Sequence, residues 1–211
     1  RRSDLIGKIY RHVDAVAAWG GEESIAAIRR SVPPGTRVVA WGHKISFAYV
    51  TPSALEDEGD SLLDRIALDV CRFDQQACSS PQCVYLETSD ITELRSFASR
   101  LSAALGRVSP RIPAAEPSDS EAAERTMVTE LHRLDSVDGE SETISDPDGN
   151  WRILLDPRPG LRASPLFRTI WVKPLPRDRI VETLRPMRKY LQTAGVGFGI
   201  ADAYSIARSL R

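Results

Sequence analysis

The chain carries no excess of charge of either sign: 28 Lys and Arg face 29 Asp and Glu, a formal net charge of -1 over 211 residues. Without a block of one sign there is no electrostatic footprint for nucleic acid or for an anionic membrane. Long apolar runs are missing too. None approaches the roughly 20 residues a helix needs to cross a bilayer, so no membrane span is expected. Cysteine is scarce, with Cys71, Cys78 and Cys83 as the three examples. An odd count argues against a disulfide framework and for a reducing, cytoplasmic setting. Their spacing is not the paired Cys-x-x-Cys of a zinc site, and His12, His43 and His132 lie far off, so no metal centre is expected. Neither a P-loop nor a GxGxxG fingerprint occurs. The opening Arg1-Arg2-Ser3-Asp4 lacks the apolar stretch of a secretory signal and has no initiator Met, which raises the expectation of a piece of a longer chain.

What is present alternates between strand and helix patterns, as in a parallel, doubly wound sheet. Val13 to Trp19 reads as a strand ending at Gly20-Gly21. Glu22-Glu23-Ser24 then opens a helix with Ile25, Ile28 and Val32 on one face. Arg37 to Trp41 and Ile45 to Val50 read as strands separated by Gly42-His43-Lys44. His43 is an eligible general base, though a polar loop residue there has commoner uses. Ala54 to Asp60 reads as a solvated acidic connection. A helix with Leu62, Leu63, Ile66, Ala67 and Val70 on its face follows, and then a strand over 83–87. Asp90 caps the next helix, whose face runs Leu94, Phe97, Leu101, Leu105.

Residues 109–149 read as a surface excursion with one helix. Strands are expected at 150–155 and 166–172, and a helix at 180–191 that Pro186 kinks or ends. A small-residue turn or strand over 192–196 and a last helix over 201–210 complete the pattern. No internal repeat is evident.

The stretch Phe73 to Gln82 stands at a helix-to-strand junction and carries Cys78 among small and amide residues. Such a junction fixes a thiol in place, and small neighbours let a carbonyl approach. The residues alone leave open a buried structural cysteine, since free cysteine is among the most buried residue types.

Asp69-Val70-Cys71-Arg72-Phe73-Asp74-Gln75-Gln76-Ala77-Cys78-Ser79-Ser80-Pro81-Gln82 resembles the active-site segment of LuxC-type acyl-CoA reductases of the aldehyde dehydrogenase superfamily. Val13 to Glu22 resembles that family's nicotinamide-side turn. Leu166 to Ile170 and Tyr190 to Val196 resemble its later catalytic blocks, and the matches are collinear. The resemblance implies an α/β, aldehyde dehydrogenase-like fold: a partial Rossmann-type cofactor domain plus an α/β catalytic domain with a central sheet. Its implied boundaries are 1–72 for the C-terminal part of the cofactor domain, its N-terminal strands absent. Residues 73–190 then form the catalytic thiol domain, and 191–211 a segment returning towards the cofactor domain.

The same resemblance implies NADPH-dependent reduction of a long-chain fatty acyl thioester, acyl-CoA or acyl-protein, to the aldehyde. Cys78 would be the nucleophile and carry a thioacyl group. Gly20 and Gly21 would approach the cofactor, and the Cys78 N–H would be an oxyanion donor. The expected partners are an acyl-protein synthetase and further copies of the chain. One departure is informative. Hydrolytic members of the superfamily carry a glutamate base in Glu-Leu-Gly-Gly-Lys, and the matching residues here are Ala40-Trp41-Gly42-His43-Lys44. Ala40 removes that base, which favours a reductase. Two other readings stay open: an aldehyde dehydrogenase working oxidatively, and a non-catalytic fragment or interaction module.

Overall fold

The computed structural model describes residues 2–136 and 139–199, together with 202, 204, 205 and 208. The chain divides into two compact units, 1–44 and 45–211. The expected helix over 201–210 lies largely outside the described residues.

The first unit contains helix α1 (Arg2–Tyr10), strand β1 (Ala15–Trp19), helix α2 (Glu22–Ser31) and strand β2 (Arg37–Trp41). β1 and β2 pair in parallel, with Ala15 opposite Arg37 and Trp19 opposite Trp41. The pairing follows from the sequence: two short, largely apolar runs joined by an amphipathic helix form a βαβ unit. Trp19 and Trp41 end the two strands as a stacked pair, 4.8 Å between ring centres.

The second unit is built on a six-stranded sheet of order β5-β6-β7-β4-β3-β8. Its strands are β3 (Ile45–Val50), β4 (Pro81–Leu86), β5 (Glu142–Ser145), β6 (Arg152–Leu155), β7 (Thr169–Pro174) and β8 (Leu191–Gly197). All neighbours run parallel except the edge pair β5 and β6. Every residue of β3 and β4 is buried. Burial on both faces is why these strands read as continuous rather than alternating apolar runs.

One face of the sheet is covered by α4 (Asp60–Cys71) and α5 (Ile91–Val108). Leu63, Leu94, Leu101 and Leu105 are fully buried there. Each such side chain contributes about 1.5–3 kcal/mol. The other face packs Phe47, Tyr49, Tyr85, Leu154 and Trp171 against α7 (Ile180–Leu184). Helix α6 (Asp119–Asp135) reaches the same layer, its His132 ring edge-on to Trp171 at 5.2 Å.

Several local expectations need correcting. The acidic 54–60 stretch is not an open connection but helix α3 (Pro52–Glu58), started by Thr51, whose hydroxyl accepts from the Ala54 N–H at 3.2 Å. It stops at Gly59, whose φ of 55° suits glycine, and its charges form the solvated side of the helix. Within the polar excursion, residues 142–145 form β5, an edge strand, where exposed polar residues are tolerated. Pro186 ends α7 at Leu184 with a tight turn over 185–187, because proline lacks the N–H that another helical turn needs. Strand β7 begins at Thr169, since Leu166, Phe167 and Arg168 take left-handed backbone angles instead.

Candidate active site

Helix α4 ends at Cys71, and the chain turns through a tight segment, Arg72–Gln75, before β4. Phe73, Asp74 and Gln75 all have positive φ, 51°, 50° and 63°. Left-handed backbone costs a residue other than Gly roughly 1–2 kcal/mol. A short turn follows, closed by the Ser80 N–H donating to the Ala77 carbonyl at 2.9 Å, and Cys78 stands exposed upon it. Cys71 and Cys83 are fully buried, and burial raises both thiols, that of Cys83 to about 12. Both are therefore poor nucleophiles near neutral pH. Accessibility singles out Cys78.

Three sets of bonds hold the turn. Downstream, the Gln75 amide donates to the Pro81 carbonyl at 2.9 Å. From beneath, the buried Ser46 hydroxyl donates to the Cys78 carbonyl at 2.6 Å and accepts from the Thr193 N–H of β8 at 3.2 Å. Ser46 can do so because β3 shifts register at this residue against both neighbours, which frees its side chain from regular pairing.

Upstream, Asp74 meets Arg168. The guanidinium Nε lies 2.6 Å from Asp74 Oδ1, and the two residues are 6% and 2% exposed. Arg168 also donates to Ser109 Oγ at 2.9 Å and to the carbonyls of Ile112 and Pro113 at 3.1 and 3.0 Å. The second Asp74 oxygen accepts from the Ala115 N–H at 2.8 Å. The Phe167 N–H donates to the Asp74 carbonyl at 2.9 Å, so the two left-handed segments are bonded backbone to backbone as well.

Beside the turn opens a cleft of about 480 Å³. Ala77, Ser79 and Ser80 of the turn line it, together with the apolar side chains of Leu62, Ile66, Ala48 and Val196. Two cations and two anions line it as well, Arg65 and Arg72 with Glu58 and Asp69, and Arg65 pairs with Glu58. A groove with apolar walls and balanced charges, next to a thiol, can take an apolar chain that ends in a polar group.

Gly20 and Gly21 lie in the first unit and Cys78 in the second. Gly20 has φ of 148°, and its N–H donates to the Trp41 carbonyl at 3.3 Å. Gly21 starts α2, and a Cβ there would meet nothing within 4 Å. Glu22 and Glu23 occupy the first turn of that helix. Ala40 lies in β2 opposite Ala18, and His43 is exposed in the connection after it. Among the described residues no group of His, Cys, Asp and Glu could hold a metal ion, and no helix is long and apolar enough to cross a membrane.

Residues 1–210 match the family described as acyl-CoA reductase (LuxC). The chain belongs to this family. The long-chain acyl-protein thioester reductase of Vibrio harveyi is 28% identical over 196 residues, covering 92% of this chain and 38% of the relative. That of Aliivibrio fischeri is 29% identical over 169 residues, 80% of this chain and 33% of the relative. The chain thus spans about a third of these relatives' length. Among solved structures, NADP-dependent glyceraldehyde-3-phosphate dehydrogenase from Bacillus halodurans matches with a TM-score of 0.67 and 16% identity, over 99% of this chain and 45% of that one. An NAD-dependent aldehyde dehydrogenase from Sinorhizobium meliloti matches with a TM-score of 0.67 and 15% identity, over 99% and 44%. Such likeness establishes the fold: the LuxC-family chain has the α/β architecture of part of an aldehyde dehydrogenase, as expected.

Within this LuxC-family chain, sequence reasoning missed Ser46 and gave no role to Asp74 or Arg168. One cue was readable. Arg168 interrupts the apolar run Leu166 to Val172, and a charge in a buried run requires a partner.

Proposed function

We propose that the chain carries the acyl-transfer site of a fatty acyl thioester reductase, with Cys78 as the nucleophile. The observation that carries this reading is the contrast among the cysteines: two are buried with raised thiols, and Cys78 is exposed beside the apolar cleft. In the acylation step the Cys78 thiolate attacks the carbonyl carbon of a long-chain acyl thioester. The bond to the donor sulfur breaks, the donor leaves as a thiolate that takes up the proton Cys78 released to solvent, and a new thioester joins the acyl group to Cys78. One thioester replaces another, so the step depends more on positioning and oxyanion donors than on a strong base.

The backbone supports a donor role for the Cys78 N–H. Among the described residues every peptide is trans, so each N–H points opposite the carbonyl of its own peptide unit. The Ala77 carbonyl is engaged by Ser80, which turns the Cys78 N–H away from the closed side of the turn. The Cys78 carbonyl is engaged by Ser46, which turns the Ser79 N–H outward in the same manner.

NADPH is the cofactor of this reading, and it supplies the hydride that takes a thioacyl group to the aldehyde. Residues 1–72 would serve it, and 73–190 the acyl group. At the Gly20-Gly21 turn the backbone is open to approach, while Glu22 and Glu23 oppose a phosphate at the helix start. These residues fit the nicotinamide end of the dinucleotide and not its phosphates. Ala40 supplies no carboxylate to activate water, which supports reduction over oxidation to the acid. The relatives' names make an acyl-protein the natural donor to compare with acyl-CoA, with an acyl-protein synthetase as partner.

The test is acyl capture. Incubation with a long-chain acyl-CoA followed by intact-mass spectrometry is expected to add one acyl group to the chain and none to Cys78→Ser. An adduct that persists on Cys78→Ser overturns the assignment.

A further inference from the structure

We infer that Asp74 and Arg168 are positioning residues for Cys78: their buried ion pair locks two left-handed segments together and thereby sets the place of the thiol. The inference rests on the reading of Cys78 as the acyl-accepting nucleophile. Its starting point is backbone strain. Phe73, Asp74 and Gln75 on one segment and Leu166, Phe167 and Arg168 on the other all have positive φ, and none is glycine. Strained runs of this kind persist only where the surroundings over-determine them, and they concentrate at functional sites.

The surroundings here are unusually complete. Asp74 and Arg168 bond each other, and the Phe167 N–H bonds the Asp74 carbonyl. Arg168 also reaches Ser109, Ile112 and Pro113, while Asp74 reaches Ala115. The pair thus gathers three stretches of chain, the end of α4, residues 109–115 and the approach to β7. From Asp74 to Cys78 is four residues. Beyond them the Cys78 carbonyl is fixed by Ser46, and Gln75 spans to Pro81. A shift at Asp74 therefore has no slack in which to dissipate, and it reaches the thiol.

Stability alone does not account for the pair. Well-packed apolar residues often replace a buried ion pair with no loss of stability, so retaining two buried charges in strained backbone implies another gain. Geometry is that gain, because misplacing a reacting atom by about 1 Å can cost on the order of a hundredfold in rate.

The test separates folding from positioning. Asp74→Leu with Arg168→Met removes both charges together, and Arg168→Lys keeps the charge while losing the guanidinium fork. Thermal midpoint, the rate of Cys78 acylation by a long-chain acyl-CoA, and the pH profile of Cys78 alkylation by iodoacetamide are measured on each. The small alkylating agent needs an accessible thiolate but no defined orientation. The double variant is expected to keep a cooperative transition and an alkylation plateau within about threefold of the parent. Its acylation is expected to fall at least tenfold, and Arg168→Lys to fall between the two. A folded double variant that acylates within twofold of the parent overturns the inference, and so does one whose acylation and alkylation fall in parallel.

If the double variant does not fold, Arg168→Lys decides by the same ratio. If the parent itself takes no acyl group, the functional reading fails and the inference that rests on it falls too, whereas a parent and a folded variant that acylate alike overturn the inference alone.

Discussion

Among the described residues of the second unit two ion pairs are buried, and their surroundings differ. Asp156 and Lys173 lie at the ends of regular strands, 0% exposed, with Lys173 Nζ 2.8 Å from Asp156 Oδ2 and 2.8 Å from the Arg158 carbonyl. Around them are the rings of Trp171 and Tyr85 and the thiol of Cys83, on the face covered by α6 and α7. Asp74 and Arg168 lie instead between two left-handed segments next to an exposed thiol. The chemistry of the pairs is alike, yet the first is embedded in relaxed structure and the second in strained structure. The comparison assigns the first to the core and the second to the site.

The largest effect expected outside the lock comes from breaking the core pair. Asp156→Ala leaves the Lys173 ammonium buried without its carboxylate, which typically costs about 3–5 kcal/mol. Urea unfolding is expected to show that loss. Among the molecules that remain folded, Cys78 acylation is expected to stay within twofold of the parent. Acylation slowed tenfold in folded Asp156→Ala would erase the distinction between the pairs.

A smaller effect of the same pair follows from acid. Burial pushes the Asp156 carboxyl up, but hydrogen bonds from Arg158 and Lys173 outweigh it and hold the group at about 2, below its ordinary 3.8. A carboxyl depressed by folding adds stability that is fully present above its unfolded value and is lost as pH falls through the folded one. The contribution of Asp156 is therefore expected to hold above about pH 4 and to disappear towards pH 2. Stability of the parent and of Asp156→Asn, followed against pH, should converge over that window. Curves that stay parallel down to pH 2 would refute the assignment.

How much of this was legible depends on the range of the interaction. The faces of α2, α4 and α5 follow from the spacing of Ile25 and Ile28, of Leu62, Ile66 and Val70, and of Leu94, Phe97 and Leu101. These are local periodicities, and local structure obeys them. The exposed thiol was eligible from its small neighbours and became a candidate through the family resemblance. The lock was not legible, for two physical reasons. Its partners are 94 residues apart. Left-handed backbone also leaves a trace in sequence only where glycine, asparagine or aspartate adopts it, and of Phe73, Asp74, Gln75, Leu166, Phe167 and Arg168 only Asp74 is such a residue. Ser46 was hidden for a related reason: a register shift inside an apolar strand depends on the neighbouring strands, not on the strand's own residues.

Ser46 gives the finest test of the comparison, because it touches the site without belonging to either ion pair. Its hydroxyl is the one side-chain contact described to the Cys78 peptide, and the same oxygen accepts from exposed Thr193. Ser46→Ala removes two hydrogen bonds and no charge. Water can replace the hydroxyl at Thr193, so the net loss is expected to be about 1 kcal/mol, the ordinary worth of one intramolecular hydrogen bond. Stability should therefore change far less than in Asp156→Ala. Acylation should change more, because the freed Cys78 carbonyl lets the peptide rotate and takes the Ser79 N–H with it. A several-fold slower acylation, with iodoacetamide alkylation near that of the parent, would place Ser46 with the lock as part of one mount. Acylation equal to the parent's would mean that Asp74 and Arg168 hold the turn without help from below.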